Sequence, residues 1–175
     1  GRECLVIRNG WFSYRWTQIF EMGHISDKLH VITSAPVVEA FEQQYAPPPI
    51  DEVVAWIKQH KPAVVFAPHV ETSAGLILPP DYLRAVGEAV ESVDGLFVLD
   101  CIASGAMWVD MVESKVDVLV SAPQKGWSSS PCCALIAMSE RARQRIESTT
   151  STSYSCDLKK WLQVVETYEK GSHIY

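Results

Sequence analysis

The sequence lacks any long hydrophobic run. No apolar stretch reaches the roughly 18 residues that a membrane-spanning helix requires, and the richest stretch, residues 95–112, is interrupted by Asp100 and Asp110. No charged segment followed by an apolar one stands at the start, so a secretory signal is not indicated. These absences predict a cytoplasmic protein that does not engage a membrane.

Positive charge is also scarce. Lysine and arginine number 15 against 21 acidic residues, which gives a net charge of −6 and a pI near 5.3. This balance argues against a general nucleic-acid binder. Hydrophobic residues make up 47% of the 175 residues and charged residues 21%, which is ordinary for a globular domain with a core of normal size.

Cysteines follow no recognisable framework. The five are Cys4, Cys101, Cys132, Cys133 and Cys156, an odd number whose spacing fits neither a disulfide scaffold nor a zinc site. We expect buried free thiols, with the adjacent Cys132 and Cys133 pointing to opposite faces of a strand. No G-x-G-x-x-G follows any apolar run, which disfavours dinucleotide binding.

What the sequence does contain is a regular alternation of apolar runs and amphipathic stretches. Because the runs are continuous rather than alternating, they predict an α/β fold with a mostly parallel sheet and helices on both faces. The predicted strands are residues 4–7, 29–33, 63–67, 96–100, 116–120 and 133–138. Five helices are predicted. The first carries Phe12, Trp16, Ile19 and Phe20 on one face, and the second carries Ile50, Val53, Val54 and Ile57 on one side. The other three span residues 79–92, 139–147 and 157–169.

Polar groups follow several of these strands, at the edge where parallel sheets bind ligands. "PHVETSAG" follows the third strand, Asp100 ends the fourth, and "SAPQKG" follows the fifth. A lysine such as Lys125, held away from bulk water, can attack an aldehyde, and an aspartate such as Asp100 can hold a proton on a pyridine nitrogen. Thr72 and Ser73 offer hydroxyls. This set suits pyridoxal phosphate, although singly a solvated loop lysine and a helix-capping aspartate are the ordinary interpretations.

Three segments, "PHVETSAG", "LFVLDCIASGA" and "SAPQKGWSSSP", resemble the central motifs of the class V aminotransferases, which are fold-type I pyridoxal-phosphate enzymes. The resemblance runs in order over nearly all of the chain. It implies that Lys125 forms the covalent link to the cofactor and that Asp100 pairs with the ring nitrogen. It also implies cofactor-binding roles for Thr72 near the phenolic oxygen, Gln124 near the phosphate, Ile102 against one ring face, Phe12 stacked on the other, and Tyr175 reaching the phosphate in the second subunit of a homodimer.

Alternatives remain for some of these residues. Trp11 is the rival to Phe12 for the stacking position, and Phe12 also fits as a core residue of its helix. For His69 and Glu71, bracing the loop after the third strand is favoured over catalysis. Ala122-Pro123 stands where the family usually has Ser or Gly-Ser, and "SSSPCC" lacks the glycine of the usual turn after the lysine.

The resemblance implies that residues 1–175 are the central part of a cofactor-binding large domain, with the family's N-terminal segment and C-terminal small domain absent from this chain. The complete enzyme would move an amino group from an amino acid to a 2-oxo acid such as glyoxylate or pyruvate. Other class V chemistry, such as cysteine desulfuration or lyase activity, is one alternative, although Gln124 stands where desulfurases usually have histidine. A non-catalytic fragment without cofactor is the other.

Overall fold

The computed structural model describes residues 2–37 and 41–173. The chain divides into two compact units, residues 1–139 and residues 140–175. The strands are β1 (Cys4–Arg8), β2 (Leu29–Thr33), β3 (Ala35–Pro36), β4 (Tyr45–Ala46), β5 (Val64–Pro68), β6 (Val70–Glu71), β7 (Leu76–Ile77), β8 (Leu96–Asp100), β9 (Val118–Ser121) and β10 (Leu135–Met138). The helices are α1 (Trp11–Met22), α2 (Ile50–His60), α3 (Pro80–Ser92), α4 (Glu140–Glu147) and α5 (Leu158–Glu169).

A six-stranded sheet with the order β10-β9-β8-β5-β1-β2 organises the first unit. Every neighbouring pair in it is parallel except β10, which runs antiparallel to β9. Two short antiparallel pairs, β3–β4 and β6–β7, lie in the connections. The predicted mostly parallel sheet is therefore confirmed, and the carboxyl ends of β1, β5, β8 and β9 meet at one edge.

Helices cover both faces of this sheet, as predicted. One face carries the buried residues of the main core, contributed by the sheet, α2 and α3: Leu5, Ile7, Val65, Phe97, Leu99, Val53, Ile57, Leu83, Val86 and Val90. On the other face Phe66 meets α1, with ring centroids 4.6 Å from Trp16 and 5.4 Å from Phe20. Alternate residues of β5 thus pack against opposite helical layers.

The predicted apolar face of α1 is partly wrong. Ser13, Thr17 and Phe20 are the buried residues of the helix, whereas Phe12 is 37% exposed and Ile19 54% exposed. The reason is a tertiary contact. The buried carboxylate of Glu71 accepts hydrogen bonds from Ser13 and holds this residue inward at the start of the helix. With Ser13 and Thr17 facing inward, Phe12 and Ile19 lie toward solvent.

The cysteines also depart from expectation. Cys101 is buried and Cys4 half-buried, but Cys132, Cys133 and Cys156 are exposed. The pair Cys132–Cys133 precedes β10, which begins at Leu135 rather than at residue 133. Because these residues lie in a loop, the prediction of buried thiols alternating across a strand is wrong for them.

The predicted strand at residues 116–120 begins two residues later, at Val118. Asp117 is buried there, and its carboxylate accepts hydrogen bonds from the Phe97 amide at 2.9 Å and the Ser139 hydroxyl at 2.7 Å.

None of the helices in the described part of the chain has the length and hydrophobicity that crossing a bilayer requires.

Gly87 fixes the distance between α3 and the segment before β9. A Cβ at this position would overlap the Ser114 carbonyl oxygen and lie 2.7 Å from the Lys115 Cβ. Glycine to alanine inside a helix normally stabilises by about 1 kcal/mol. Here we expect Gly87→Ala to lower the free energy of unfolding by about 1–3 kcal/mol, because backbone must move. Urea denaturation measures this; Glu88→Ala on the exposed side of α3 is the control, and a more stable Gly87→Ala protein contradicts the prediction.

Candidate functional site

The carboxyl edge of the sheet brings Asp100 and the Lys125 turn to neighbouring positions. Asp100 ends β8 and lies opposite Val120 of the parallel strand β9, and Lys125 follows the end of β9 by four residues. The turn at residues 123–127 packs on the loop after β8. A Cβ on Gly126 would lie 2.6 Å from both the Cα and the carbonyl oxygen of Gly105. Only glycine permits this close approach.

Asp100 is a half-buried carboxylate whose partners are all neutral. Its Oδ1 accepts a hydrogen bond from the Ile102 amide at 3.0 Å, and its Oδ2 accepts one from the Trp16 indole Nε1 at 3.4 Å. Burial raises the pKa of Asp100, and the negative charge of Glu71 adds to that increase. Within residues 2–37 and 41–173 no lysine, arginine or histidine forms an ion pair with it. A cationic ring nitrogen is the kind of group that this carboxylate lacks.

Glu71 anchors the start of α1. Its side chain is 1% exposed, and it accepts hydrogen bonds from the Phe12 and Ser13 amides at 3.2 and 2.9 Å. The hydroxyls of Ser13 and Ser73 also donate to it, at 2.7 and 2.6 Å. Burial alone raises the pKa of Glu71, but the hydrogen bonds from Ser73, Ser13 and Phe12 outweigh it and hold the pKa below its usual value. The Trp11 amide donates to Ser73 Oγ at 2.8 Å, so these amides of the first turn are satisfied internally.

His69 links two of the loops at this edge. The ring is 5% exposed, with Nδ1 2.7 Å from the Ser104 hydroxyl, and the His69 amide donates to the Asp100 carbonyl at 2.9 Å. Burial lowers the pKa of His69 and so favours the neutral ring. These contacts, like those of Glu71, agree with the bracing role favoured from the sequence.

The aromatic residues near the site occupy different environments. Phe12 is 37% exposed, with the Arg15 guanidinium 5.0 Å from its ring centroid. Trp11 is more exposed and stacks on Tyr14 at 5.9 Å. Trp16 is the aromatic residue that contacts Asp100, a role that sequence reasoning missed because it placed Trp16 only on a core face. No local motif signals that contact, since the two residues are 84 positions apart.

Other predicted residues lie around the same edge. Ile102 is half-buried beside Asp100, Thr72 is exposed in the turn between β6 and β7, and Gln124 is exposed next to Lys125. Tyr175 lies outside the described residues. Asn9, which follows β1 directly, is 2% exposed, and its Oδ1 has no hydrogen-bond partner among the described residues.

Lys125 differs from expectation in its burial. We expected it to be shielded from water, but its side chain is exposed, as is the whole segment from Gln124 to Cys133. Its Nζ makes no hydrogen bond or ion pair with any residue in 2–37 or 41–173. The prediction that Lys125 is shielded is wrong, because its turn lies beyond the edge of the sheet and no described element covers the side chain. The amine is accordingly open to an incoming aldehyde.

An apolar groove of about 850 Å³ runs beside the lysine turn. Gly126 and Trp127 of the turn border it, and Trp108 meets Trp127 edge-on at 5.5 Å. Leu119, Leu135 and Ile136 of the last two strands form part of its wall. No sequence pattern indicates this groove, because its two tryptophans lie in separate loops.

The raised pKa of Asp100 has a measurable consequence for stability. A carboxyl whose folded pKa is raised binds its proton more tightly when folded, so its stability contribution is present at low pH and is lost as pH rises through the folded pKa. Asp100→Asn keeps the acceptor for the Ile102 amide, gives up the long hydrogen bond from Trp16 Nε1 at 3.4 Å, and removes the charge. We expect the free energy of unfolding at pH 7 to rise by about 1 kcal/mol.

Urea denaturation at pH 7 and near pH 3 measures this difference. The gain from Asp100→Asn should vanish at the lower pH, where the wild-type carboxyl is protonated, and exposed Asp27→Asn serves as the matched control. A variant that is less stable than wild type at pH 7 contradicts the prediction.

Protein-family profiles yield no match to the chain. Curated proteins do: alanine–glyoxylate aminotransferase of Oryctolagus cuniculus is 29% identical over 156 residues, covering 89% of this chain and 36% of that protein. The (S)-ureidoglycine–glyoxylate transaminase of Bacillus subtilis (strain 168) is 35% identical over 109 residues, covering 58% of this chain and 26% of that protein. The crystal structure of alanine–glyoxylate aminotransferase from Nostoc sp. superposes with a TM-score of 0.76 at 25% identity, over 100% of this chain and 43% of that one. The chain thus spans well under half the length of the proteins that it matches.

Proposed function

We propose that this chain, a homologue of part of the class V pyridoxal-phosphate aminotransferases, supplies the cofactor-binding lysine and carboxylate of a transaminase. Residues 1–175 would form the central part of its large domain. The complete protein would transfer an amino group from an amino acid to a 2-oxo acid such as glyoxylate or pyruvate. We further propose that it works in the cytoplasm as a homodimer.

The observation that carries this proposal is the placement of Asp100 and the Lys125 turn at the ends of adjacent parallel strands. Asp100 is a half-buried carboxylate without a cationic partner among the described residues, and the Lys125 amine is open to solvent. A pyridine ring that carries both a protonated nitrogen and an aldehyde would pair its nitrogen with Asp100 and its aldehyde with the Lys125 amine. The donor set therefore fits pyridoxal phosphate.

When bound, pyridoxal phosphate supplies an aldehyde that reacts with amines and a ring that accepts electron density. Lys125 Nζ would hold the aldehyde carbon and then, once displaced by a substrate amine, carry a proton to and from the substrate carbon. Asp100 would keep the proton on the ring nitrogen. Phe12 would stack on one ring face and Ile102 would lie against the other.

The phosphate would be held away from α1. A helix start is often an anion site, but the first turn of α1 already holds the buried carboxylate of Glu71. We assign the phosphate to the side of Gln124 and to the partner subunit's Tyr175, and the phenolic oxygen to Thr72. Each of these assignments stays a prediction.

Cysteine desulfuration is the second candidate. The predicted burial of Cys132 and Cys133 on a strand would leave the loop after the lysine without a cysteine. That prediction is wrong, because Cys132 and Cys133 are exposed and precede β10. Gln124 before the lysine still favours transamination. Assays with L-alanine and glyoxylate, and with L-cysteine plus a thiol reductant that releases persulfide sulfur as sulfide, separate the two by whether keto acid or sulfide is formed.

Reductive labelling tests the proposal. The chain is incubated with pyridoxal phosphate, reduced with borohydride, digested and mapped by mass spectrometry. We expect the label on Lys125 at stoichiometric cofactor, with little on the other exposed lysines such as Lys58 and Lys28. Equal labelling of all exposed lysines would show that the site has no preference for the aldehyde and would reject the proposal.

A further inference from the structure

The structure presents a pair of neighbouring thiols outside the groups assigned to the cofactor. We propose that Cys132 and Cys133 form a vicinal dithiol site that binds soft, thiophilic metal and metalloid species, such as trivalent arsenicals, through both sulfurs. This inference is independent of the proposed transaminase function, because it needs neither the cofactor nor Lys125.

The two sulfurs are accessible and lie on the same side of the chain. Cys132 Sγ and Cys133 Sγ are 3.9 Å apart, with the Cys132 thiol donating to Cys133, and both residues are exposed. The Cys132 amide donates to the Ser130 carbonyl at 2.8 Å, which bends the backbone just before the pair. In an extended strand, adjacent side chains would diverge to opposite faces, but this pair lies outside β10, in a loop where the two sulfurs meet.

The chemistry of capture balances without an oxidant. An organoarsenic(III) oxide forms two As–S bonds, one to each sulfur; the two thiol protons leave with the arsenic-bound oxygen as one water molecule. No electrons are transferred. Closing the second bond is intramolecular, so its effective concentration is high and the chelate is much tighter than two separate thiol adducts.

The hydrogen bond within the pair affects how capture depends on pH. It raises the pKa of Cys133, with its small burial and the neighbouring sulfur of Cys132 acting in the same direction. Since the thiolate is the nucleophile, capture should accelerate as the solution is made alkaline. Once both protons have left as water, the hydrogen bond between the two sulfurs is replaced by two bonds to arsenic.

The other cysteines provide internal controls. Cys156 is exposed and has a neighbouring hydroxyl, Ser155 Oγ at 3.8 Å, rather than a second thiol. Cys101 is buried, and burial raises its pKa to about 11, while the half-buried Cys4 also has a raised pKa, chiefly through burial. Among the described residues, Cys132 and Cys133 are thus the exposed cysteines with adjacent sulfurs.

Titration with phenylarsine oxide tests the proposal on the reduced chain. We expect the intact mass to increase by one arsenical with loss of one water, and alkylation by iodoacetamide to be blocked at Cys132 and Cys133 but not at Cys156. A dithiol such as 2,3-dimercaptopropanol should reverse the adduct, whereas a monothiol at the same concentration should not.

Cys132→Ser and Cys133→Ser should each weaken binding by about 100-fold or more, while Cys156→Ser should bind as wild type does. All three positions are exposed, and circular dichroism confirms that each variant is folded. The proposal is overturned if either serine variant of the pair retains wild-type affinity, or if peptide mapping places the arsenic on any other cysteine.

Discussion

The chain carrying Lys125→Ala is expected to take up no covalent pyridoxal phosphate at position 125 after borohydride reduction, and any complete enzyme carrying it should have no detectable transamination. The physical reason is that the proposed mechanism needs this amine both to hold the aldehyde and to move the proton at the substrate carbon. No described side chain supplies a second amine beside Asp100. Because the Lys125 side chain is exposed and makes no hydrogen bond or ion pair within residues 2–37 and 41–173, the free energy of unfolding should change by no more than about 0.5 kcal/mol.

Two matched variants sharpen this experiment. Lys125→Arg retains a positive charge but not a nucleophilic amine, so it should fail in the same way as alanine. Lys58→Ala removes an exposed lysine from α2 and should leave both labelling at Lys125 and stability unchanged. If the arginine or alanine variant still transaminates, Lys125 is not the catalytic amine and the site assignment is rejected.

Strands that are continuous apolar runs could be predicted from the sequence almost to the residue. "LFVLD" forms β8 over Leu96–Asp100, and "LHVIT" forms β2 over Leu29–Thr33, with the predicted bounds. In β8 the residues Leu96–Leu99 are buried, so local preference and burial favour the same structure. β2 is an edge strand without a buried residue, and its strand-forming residues alone indicate it. β9 and β10 begin later than predicted. A buried aspartate sets where β9 begins and an exposed loop sets where β10 begins, rather than a local propensity.

The edge of the sheet that holds the site was predictable for a topological reason. Once β8 and β9 are parallel neighbours, Asp100 and the segment after Ser121 must emerge at the same edge. The contacts made there were not predictable. Ser13 meets Glu71 across 58 positions and Trp16 meets Asp100 across 84, and no periodicity within one element encodes such pairings.

Glu71→Gln should cause the largest loss of stability among single changes at the site. The carboxylate is 1% exposed and accepts from two amides of α1 and from the hydroxyls of Ser13 and Ser73. Glutamine replaces one acceptor oxygen with an NH₂ group, which must then face donors at a position closed to bulk solvent. We expect the free energy of unfolding to fall by about 2–4 kcal/mol, measured by urea denaturation at pH 7.

The pH dependence distinguishes the loss of this buried acceptor from a general loss of charge. The folded pKa of Glu71 lies below the ordinary 4.5, so its stability contribution is complete above that value and is lost as pH falls through the folded pKa. The difference between wild type and Glu71→Gln should therefore be constant from pH 8 to about pH 5 and shrink below pH 4. Exposed Glu88→Gln on α3 should differ little from wild type throughout. If Glu71→Gln is as stable as Glu88→Gln at pH 7, the buried carboxylate does not anchor α1, and the start of that helix must be held by its other contacts, chiefly the Ser73 hydroxyl on the Trp11 amide.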